Sequence, residues 1–433
     1  MINDYAVGRW LTALLTVFAV STMPVALAQP DENTLTLRQA IEKTVDAYPS
    51  LQRFDMLHRQ QAMAADIAAL KPGYSVDVEL ENALGSRQFQ GVDSADLTIA
   101  LSSVIELGGK REARTSLAQA RAQITATRQR VMTLDVLGKL VADYIAVLST
   151  QEDLTLKREA RQISADMLRS VQNRFDNGAA SEAELMLARA RLSQAEIALD
   201  QVSAELERGR ISLSLYWGEA SPSFINLAGD FLQFAPLRPI DDLLVQLRES
   251  PALVIYADRV RIQEAELSLQ ASQSRQDVAW QFGLRHLAGS NDTAMMAGVS
   301  IPLFVAQRNQ ARVERERLDQ QLVVIEREQA FLDMQSRLMR AYSLYQQAVA
   351  AATRMRADVI PDLKRALVVT RDGYEQGLLR YQELIIAEQE LLDARAALIN
   401  QATQAHQSLA LIEQLTGMTL RMTPATTPTA SAQ

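Results

Sequence analysis

Cysteine is absent from the 433 residues, proline and glycine number only 12 and 17, and aromatic residues make up 5%. Without cysteine no disulfide can staple the fold and no lipid-modified N-terminal cysteine is expected, so packing or assembly must hold an exported chain together. Scarce proline and glycine leave few places to break an element, which favours long continuous ones. The low aromatic content, in a chain that is 48% hydrophobic, excludes an aromatic-rich β core as the bulk of the mass. A basic surplus is missing as well: the formal net charge is −8, so nucleic acid is not an expected partner. The only histidines are His58, His286 and His406. They stand far apart, with no His-x-x-x-His or paired-carboxylate spacing, and no metal site or cofactor is expected. No nucleophile elbow, phosphate loop or Ser/His/Asp arrangement is present, so no enzyme activity is expected. Beyond the N-terminus no apolar run reaches the ~20 residues of a spanning helix.

Residues 1–28 read as a secretory signal, with Arg9, an apolar run from Trp10 to Val20, and Ala26-Leu27-Ala28 before Gln29 as a small-x-small cleavage site. The rest of the chain is duplicated. RFDNGAASEAELMLARARL from Arg174 matches GYEQGLLRYQELIIAEQEL from Gly373, with Gly178 on Gly377, Glu184 on Glu383 and Leu192 on Leu391, an offset of 199. Gly218 and Gly417 keep the same offset, and Pro49 meets Pro251 at 202. Such a period far exceeds the roughly 20 to 50 residues of a solenoid unit. The expected organisation is a first repeat at 29–218, a linker at 219–239 carrying Pro222, Pro236 and Pro239, a second repeat at 240–420, and a disordered tail at 421–433.

Each repeat opens with a helical pattern, Leu35 to Lys71 and Ile240 to Ser274, interrupted near its proline. Two period-two segments follow. Tyr74, Val76, Val78 and Leu80 alternate with polar residues, as do Leu97, Ile99 and Leu101; the second repeat answers with Val278, Trp280, Phe282 and Leu284, then Met295, Ala297, Val299 and Ile301. Each repeat thus predicts a β-hairpin with one apolar face. Next come very long helical patterns, Lys110 to Asp176 and Arg308 to Gln376 apart from Pro361. The first extends roughly 100 Å if unbroken, far more than a globular domain needs. Both stop at a glycine, and return helices follow with apolar residues at alternating spacings of three and four (Leu185, Ala188, Leu192, Ala195, Leu199), a coiled-coil seam.

The strand segments are about the ~9 to 11 residues that cross a bilayer when tilted, yet a small sheet packed on helices alternates in the same way. Export, paired hairpins and long helices leaving the same end of each hairpin favour the membrane. Four strands cannot close a pore, and open edges have no water to bond in lipid, so this reading requires oligomerisation. A periplasmic coiled-coil adaptor is the more distant alternative; it would carry one hairpin with flanking β-rich segments rather than a tandem pair.

The order of helix, hairpin, long helix, glycine tip and return helix resembles the outer membrane factors of the TolC type over essentially the whole mature chain. Ile105-Glu106-Leu107-Gly108-Gly109-Lys110-Arg111, and Ile301-Pro302-Leu303-Phe304 before Arg308-Asn309-Gln310, resemble the heavy-metal efflux branch represented by CzcC. The resemblance implies a mainly α fold with a small β part: a homotrimer whose twelve strands form an outer membrane barrel and whose helices form a hollow periplasmic barrel. It implies a passive, gated conduit for heavy-metal cations or, alternatively, for organic small molecules, served by a periplasmic adaptor and an inner-membrane proton-driven pump. Val278, Trp280, Phe282 and Leu284 would meet outer membrane lipid. Gly178, Ala179, Ala180, Gly377, Leu378 and Leu379 would touch the adaptor, although both glycines also serve simply as helix caps. Glu184, Tyr374, Glu383 and Ile386 would stand near the pore constriction, although Tyr374 read alone is also an ordinary packing tyrosine. Rings of carboxylate would raise their own pKa and draw cations, whereas Ile386 makes an apolar constriction equally open, and the glutamates read alone are also ordinary solvated helix residues.

Overall fold

The computed structural model describes residues 33–418. The expected signal at 1–28 and tail at 421–433 lie outside them. The first repeat runs β1 (Thr34–Leu35), α1 (Leu37–Ala47), α2 (Pro49–Ala69), β2 (Ser75–Glu81), β3 (Asp96–Ile105), α3 (Lys110–Asp176) and α4 (Glu182–Ser214). The second runs β4 (Asn226–Leu227), α5 (Ile240–Arg248), α6 (Pro251–Gln273), β5 (Val278–Leu287), β6 (Asp292–Ser300), α7 (Val305–Arg354), α8 (Ile360–Glu375) and α9 (Tyr381–Thr416). Pro49 and Pro251 each open a helix, because a first-turn residue has no intrahelical partner for the N–H that proline lacks.

The two long helices differ. α3 is unbroken over 67 residues, as its pattern predicts. Its counterpart is interrupted by a widened π turn at Met355–Val359, just before Pro361. Proline cannot donate to the carbonyl four residues back and its ring crowds it, so the chain widens locally and continues as α8. The break is a change of helical register rather than an end.

β2, β3, β5 and β6 form one antiparallel sheet in that order. Val76, Leu101, Phe282 and Ala297 stand opposite one another across the four strands, as do Val78, Ile99, Leu284 and Met295. All the alternating apolar residues therefore share one face. That face is open: Val76 is 68% exposed, Met295 70% and Phe282 49%. The opposite face carries Asp77, Glu79, Glu81, Thr98, Gln281 and Arg285. β2 and β6 are edge strands with one unpaired side each.

The helices pack along the expected seam. Leu185, Ala188, Val202 and Leu206 of α4, and Leu384, Leu391 and Leu398 of α9, are buried. Each fully buried leucine contributes roughly 2 kcal/mol. Ion pairs such as Asp166–Arg169 and Asp362–Arg365 lie on exposed faces and contribute at most about 1 kcal/mol each. The seam holds the hairpins together. The segment expected as a linker is itself packed. Asn226–Leu227 pairs in parallel with Thr34–Leu35, Phe224, Leu227 and Phe231 are buried, and the Tyr144 hydroxyl donates to Leu35 O at 2.9 Å or Ala228 O at 2.6 Å.

Candidate functional site at the helical tips

Both tips close with the same backbone device. At the end of α3, Gly178 takes φ +71°, its N–H donates to Phe175 O at 2.9 Å, and Ala179 N–H donates to Arg174 O at 2.7 Å. At the end of α8, Gly377 takes φ +77°, its N–H donates to Tyr374 O at 3.0 Å, and Leu378 N–H donates to Gly373 O at 2.8 Å. These paired bonds satisfy the last carbonyls of a helix and need a left-handed residue, which glycine supplies without steric cost. The return helices start alike. The Glu184 carboxylate accepts from Ser181 N–H at 3.2 Å, and the Glu383 carboxylate accepts from Arg380 N–H at 2.7 Å. Both acids sit three residues into the new helix, where they satisfy an otherwise free donor and complement the positive end of the helix dipole. Their side chains thus have a structural task that holds whatever the pore requires.

The tips differ in what they present. Leu378 is 76% exposed, with nothing of its own chain to cover it. Its neighbour is otherwise placed: Leu379 folds back onto Gly373, so closely that a methyl group there would lie 2.8 Å from Leu379 Cδ1. Of the two leucines expected at the adaptor, only Leu378 is left without packing from its own chain. In the first tip Ala179 is exposed and Ala180 half-buried. Ile386 is 53% exposed.

Tyr374 corrects a second expectation. It is 1% exposed, enclosed by residues of its own chain, so its ring lines no pore. It packs against Tyr381 with ring centroids 5.9 Å apart, and the Arg174 guanidinium lies over its ring at 4.6 Å. Burial and the nearby Glu184 carboxylate raise its pKa against the opposing charge of Arg174. Tyr381, likewise buried, is pushed up to about 12, first by burial.

Two residues that pattern reading passed over join the hairpins here. Arg174, in the last turn of α3, donates from Nη1 to Tyr374 O at 2.6 Å and Glu375 O at 3.1 Å, and from Nη2 to Ala179 O at 3.1 Å. A cation thus holds the carbonyl end of α8, where the helix dipole is negative. Glu388 of α9 is 2% exposed and accepts from Ser164 Oγ of α3 at 3.3 Å, while its other carboxylate oxygen has no partner. Burial pushes its pKa up, against the pull of Arg191 and Arg371 and the Ser164 hydrogen bond. The same α3–α9 contact includes Ser149 with Thr403 at 2.8 Å and the Glu159–Arg395 ion pair.

At the other end of the molecule, the polar face of the sheet is strongly acidic. Asp77, Glu79, Glu81, Asp96 and Asp292 share it with one guanidinium, Arg285, which pairs with Glu81.

The model of the "Outer membrane efflux protein" family matches residues 55–219 and 260–418. The chain belongs to this family. The match falls once on each repeat. Among curated relatives, the "Cobalt-zinc-cadmium resistance protein CzcC" of Cupriavidus metallidurans is 26% identical over 322 residues, 74% of this chain and 77% of the relative. Among solved structures, CusC superposes with a TM-score of 0.74 at 16% identity, covering 88% of this chain and 92% of that one. The outer membrane protein VceC of Vibrio cholerae gives 0.71 at 16% identity, over 89% and 97%. As a member of the outer membrane efflux family the protein is an outer membrane channel, with its helices in the periplasm. None of the described helices is long and apolar enough to cross a membrane.

In this efflux protein each histidine has a local partner. His58 Nε2 faces Gln129 Oε1 at 3.0 Å, and His286 Nδ1 faces Thr293 Oγ1 at 3.2 Å. His406 is buried between Phe231 and Phe234 and donates from Nε2 to Phe231 O at 3.0 Å, with its pKa lowered by burial. Among the described residues no group of three or more potential ligands is placed to hold a metal ion.

Proposed function

We propose that this chain is the outer membrane conduit of a tripartite RND-type efflux system and that it passes heavy-metal cations as a homotrimer. Members of the family are trimers that work with an adaptor and an inner-membrane pump. Two unpaired edges, on β2 and β6, call for closure by further copies, and three times four strands exceed the ~8 of the smallest barrels. In such a barrel Val278, Trp280, Phe282 and Leu284 meet lipid, and the acidic face lines the lumen.

That face carries the substrate assignment. Four of its carboxylates, Asp77, Glu79, Asp96 and Asp292, are not balanced by a cation on the face, and three copies triple the negative field in a narrow lumen, which concentrates cations. The CzcC relative is named for cobalt, zinc and cadmium resistance. The channel supplies no energy of its own: a proton-driven pump below delivers substrate through the adaptor, which docks on Gly178, Ala179 and Ala180 and on Gly377, Leu378 and Leu379. Glu184, Glu383 and Ile386 stand at the constriction.

A strain lacking the gene, complemented or not, tests the reading against a panel of metals and antibiotics. Complementation should restore tolerance to cobalt, zinc or cadmium. Restored tolerance confined to organic antibiotics overturns the metal assignment in favour of a multidrug channel, and a purified protein that is a soluble monomer overturns the conduit itself.

A further inference from the structure

At the periplasmic end of the sheet the outward face bears a feature that neither conduction nor docking uses. Tyr74, just before β2, and Trp280 of β5 meet edge to face with ring centroids 6.3 Å apart. They line a cleft of about 520 Å³ together with Lys71, Lys110 and Arg111, at the junction with α3. Lys110 is held by Asp277 at 2.7 Å, and the nearby Arg114 by Glu106. Lys71 and Arg111 are exposed and make no ion pair with any described residue. Glu106 and Glu112, the latter on the first turn of α3, also line the cleft, and against them its three cations leave the wall with a net positive charge. At the matching junction of the second repeat, where the first has Gly108 and Gly109 before its cations, Leu303 and Phe304 are exposed, at 65% and 69%.

We propose that this cleft seats the headgroup of an anionic phospholipid of the inner leaflet. Lys71 and Arg111 hold the phosphate, Tyr74 and Trp280 lie at headgroup depth, and the acyl chains run along the apolar face over Val76 and Phe282. Aromatic rings with an apolar body and a polar edge settle at membrane interfaces, and flexible cations beside them lay their stems on apolar surface with the charge in the headgroup layer. Basic pockets at such a depth select anionic lipids. Continuity with the lipid-facing sheet decides for a lipid rather than free phosphate, which gains nothing from the aromatic wall. One cleft per chain gives three per trimer. The inference rests on the barrel lying in the outer membrane and not on what the channel carries.

The full-length protein, extracted as assembled and placed in nanodiscs holding equal phosphatidylglycerol and phosphatidylethanolamine, can be released and its retained lipids counted by native mass spectrometry. Wild type should retain phosphatidylglycerol over phosphatidylethanolamine by roughly thirtyfold, from two cations near the headgroup layer. The Lys71→Gln/Arg111→Gln variant should lose that preference while staying assembled, and Trp280→Ala should weaken retention of both lipids. Should the double variant not assemble, Arg111→Gln alone, on an exposed first turn, is read in the same way. Equal retention of the two lipids by wild type, an unchanged preference in the assembled variant, or displacement of the lipid by inorganic phosphate would overturn the proposal.

Discussion

The first tip, Gly178 to Ser181, and the second, Gly377 to Arg380, are built by the same hydrogen bonds and present different chemistry. One offers two alanines and a serine cap. The other offers an exposed leucine, a second leucine folded onto its own helix, and an arginine. The difference extends inward: at the offset of the repeat, Arg174 of the first copy stands against Gly373 of the second, Phe175 against Tyr374 and Arg189 against Glu388. Arg174 is the residue that reaches across to the carbonyls of Tyr374 and Glu375, and Glu388 is the buried acid that meets α3. Duplication thus supplied two equivalent frames, and divergence put a clasp on one and its receptor on the other.

The comparison breaks most visibly at the exposed leucine. Leu378→Asp should abolish metal tolerance while trimers still assemble, as judged by native gels of membrane extracts, because a charge replaces the one apolar side chain that the tip leaves uncovered. Ala179→Asp at the matching position should weaken tolerance far less. Equal effects from the two would mean that the adaptor does not distinguish the tips.

Next in size is the clasp. Arg174→Leu removes three hydrogen bonds from a charged donor, two to carbonyls at the end of α8 and one to the turn at Ala179, and loss of about 2 kcal/mol is expected in thermal or denaturant unfolding of the trimer. With the two hairpins no longer joined at that point, single-channel conductance in planar bilayers should rise. Stability lost without any rise in conductance would make Arg174 a packing residue and remove it from the gate.

Glu388 gives a smaller, pH-dependent effect whose sign follows from its raised pKa. The group facing it from α3 is Ser164, from α4 Arg191, from α8 Arg371, and Tyr381 neighbours it on α9 itself. A carboxyl whose folded pKa lies above its unfolded value stabilises the fold fully at acid pH, below about 4, and loses that contribution as pH rises through the folded value. Glu388→Gln keeps an acceptor for Ser164 and removes the charge. Its unfolding midpoint should exceed wild type at neutral and mildly alkaline pH, by on the order of 1 kcal/mol for the relieved buried oxygen, and should match wild type at acid pH. A parallel offset at every pH would show that ionisation is not the cause.

Much of this molecule is legible in its pattern. Period-two alternation marks the four long strands because one face meets each environment, and the glycines mark the tips because only a left-handed residue closes them. What escapes is whatever depends on contact between the copies. Arg174 and Glu388 lie on helices whose spacing betrays nothing of a partner about 200 residues away, although the mismatch of the two copies at those positions could have drawn attention to them. Two-residue strands such as Thr34–Leu35 have no period to detect. Tyr374 matched a resemblance but faces inward, and Leu379 found its packing in a glycine six residues earlier, which spacing along a helix does not suggest because the chain turns between them.

The smallest expected effect concerns the matched pair, Glu184 and Glu383, where one geometry supports two roles. As caps, each carboxylate holds one backbone N–H, and replacement by alanine should cost about 1 kcal/mol of stability in either tip. As members of a cation-drawing ring, their charge rather than their hydrogen bond would matter. Glutamine separates the two, since it accepts the same hydrogen bond from N3 of a helix but carries no charge. Glu383→Gln should leave the unfolding midpoint within a few tenths of a kcal/mol of wild type and lower cation over anion selectivity in planar bilayers, whereas Glu383→Ala should lower both. Selectivity untouched by glutamine would assign Glu383 to the cap alone and leave the exposed Ile386, one turn on, as the residue that narrows the second tip.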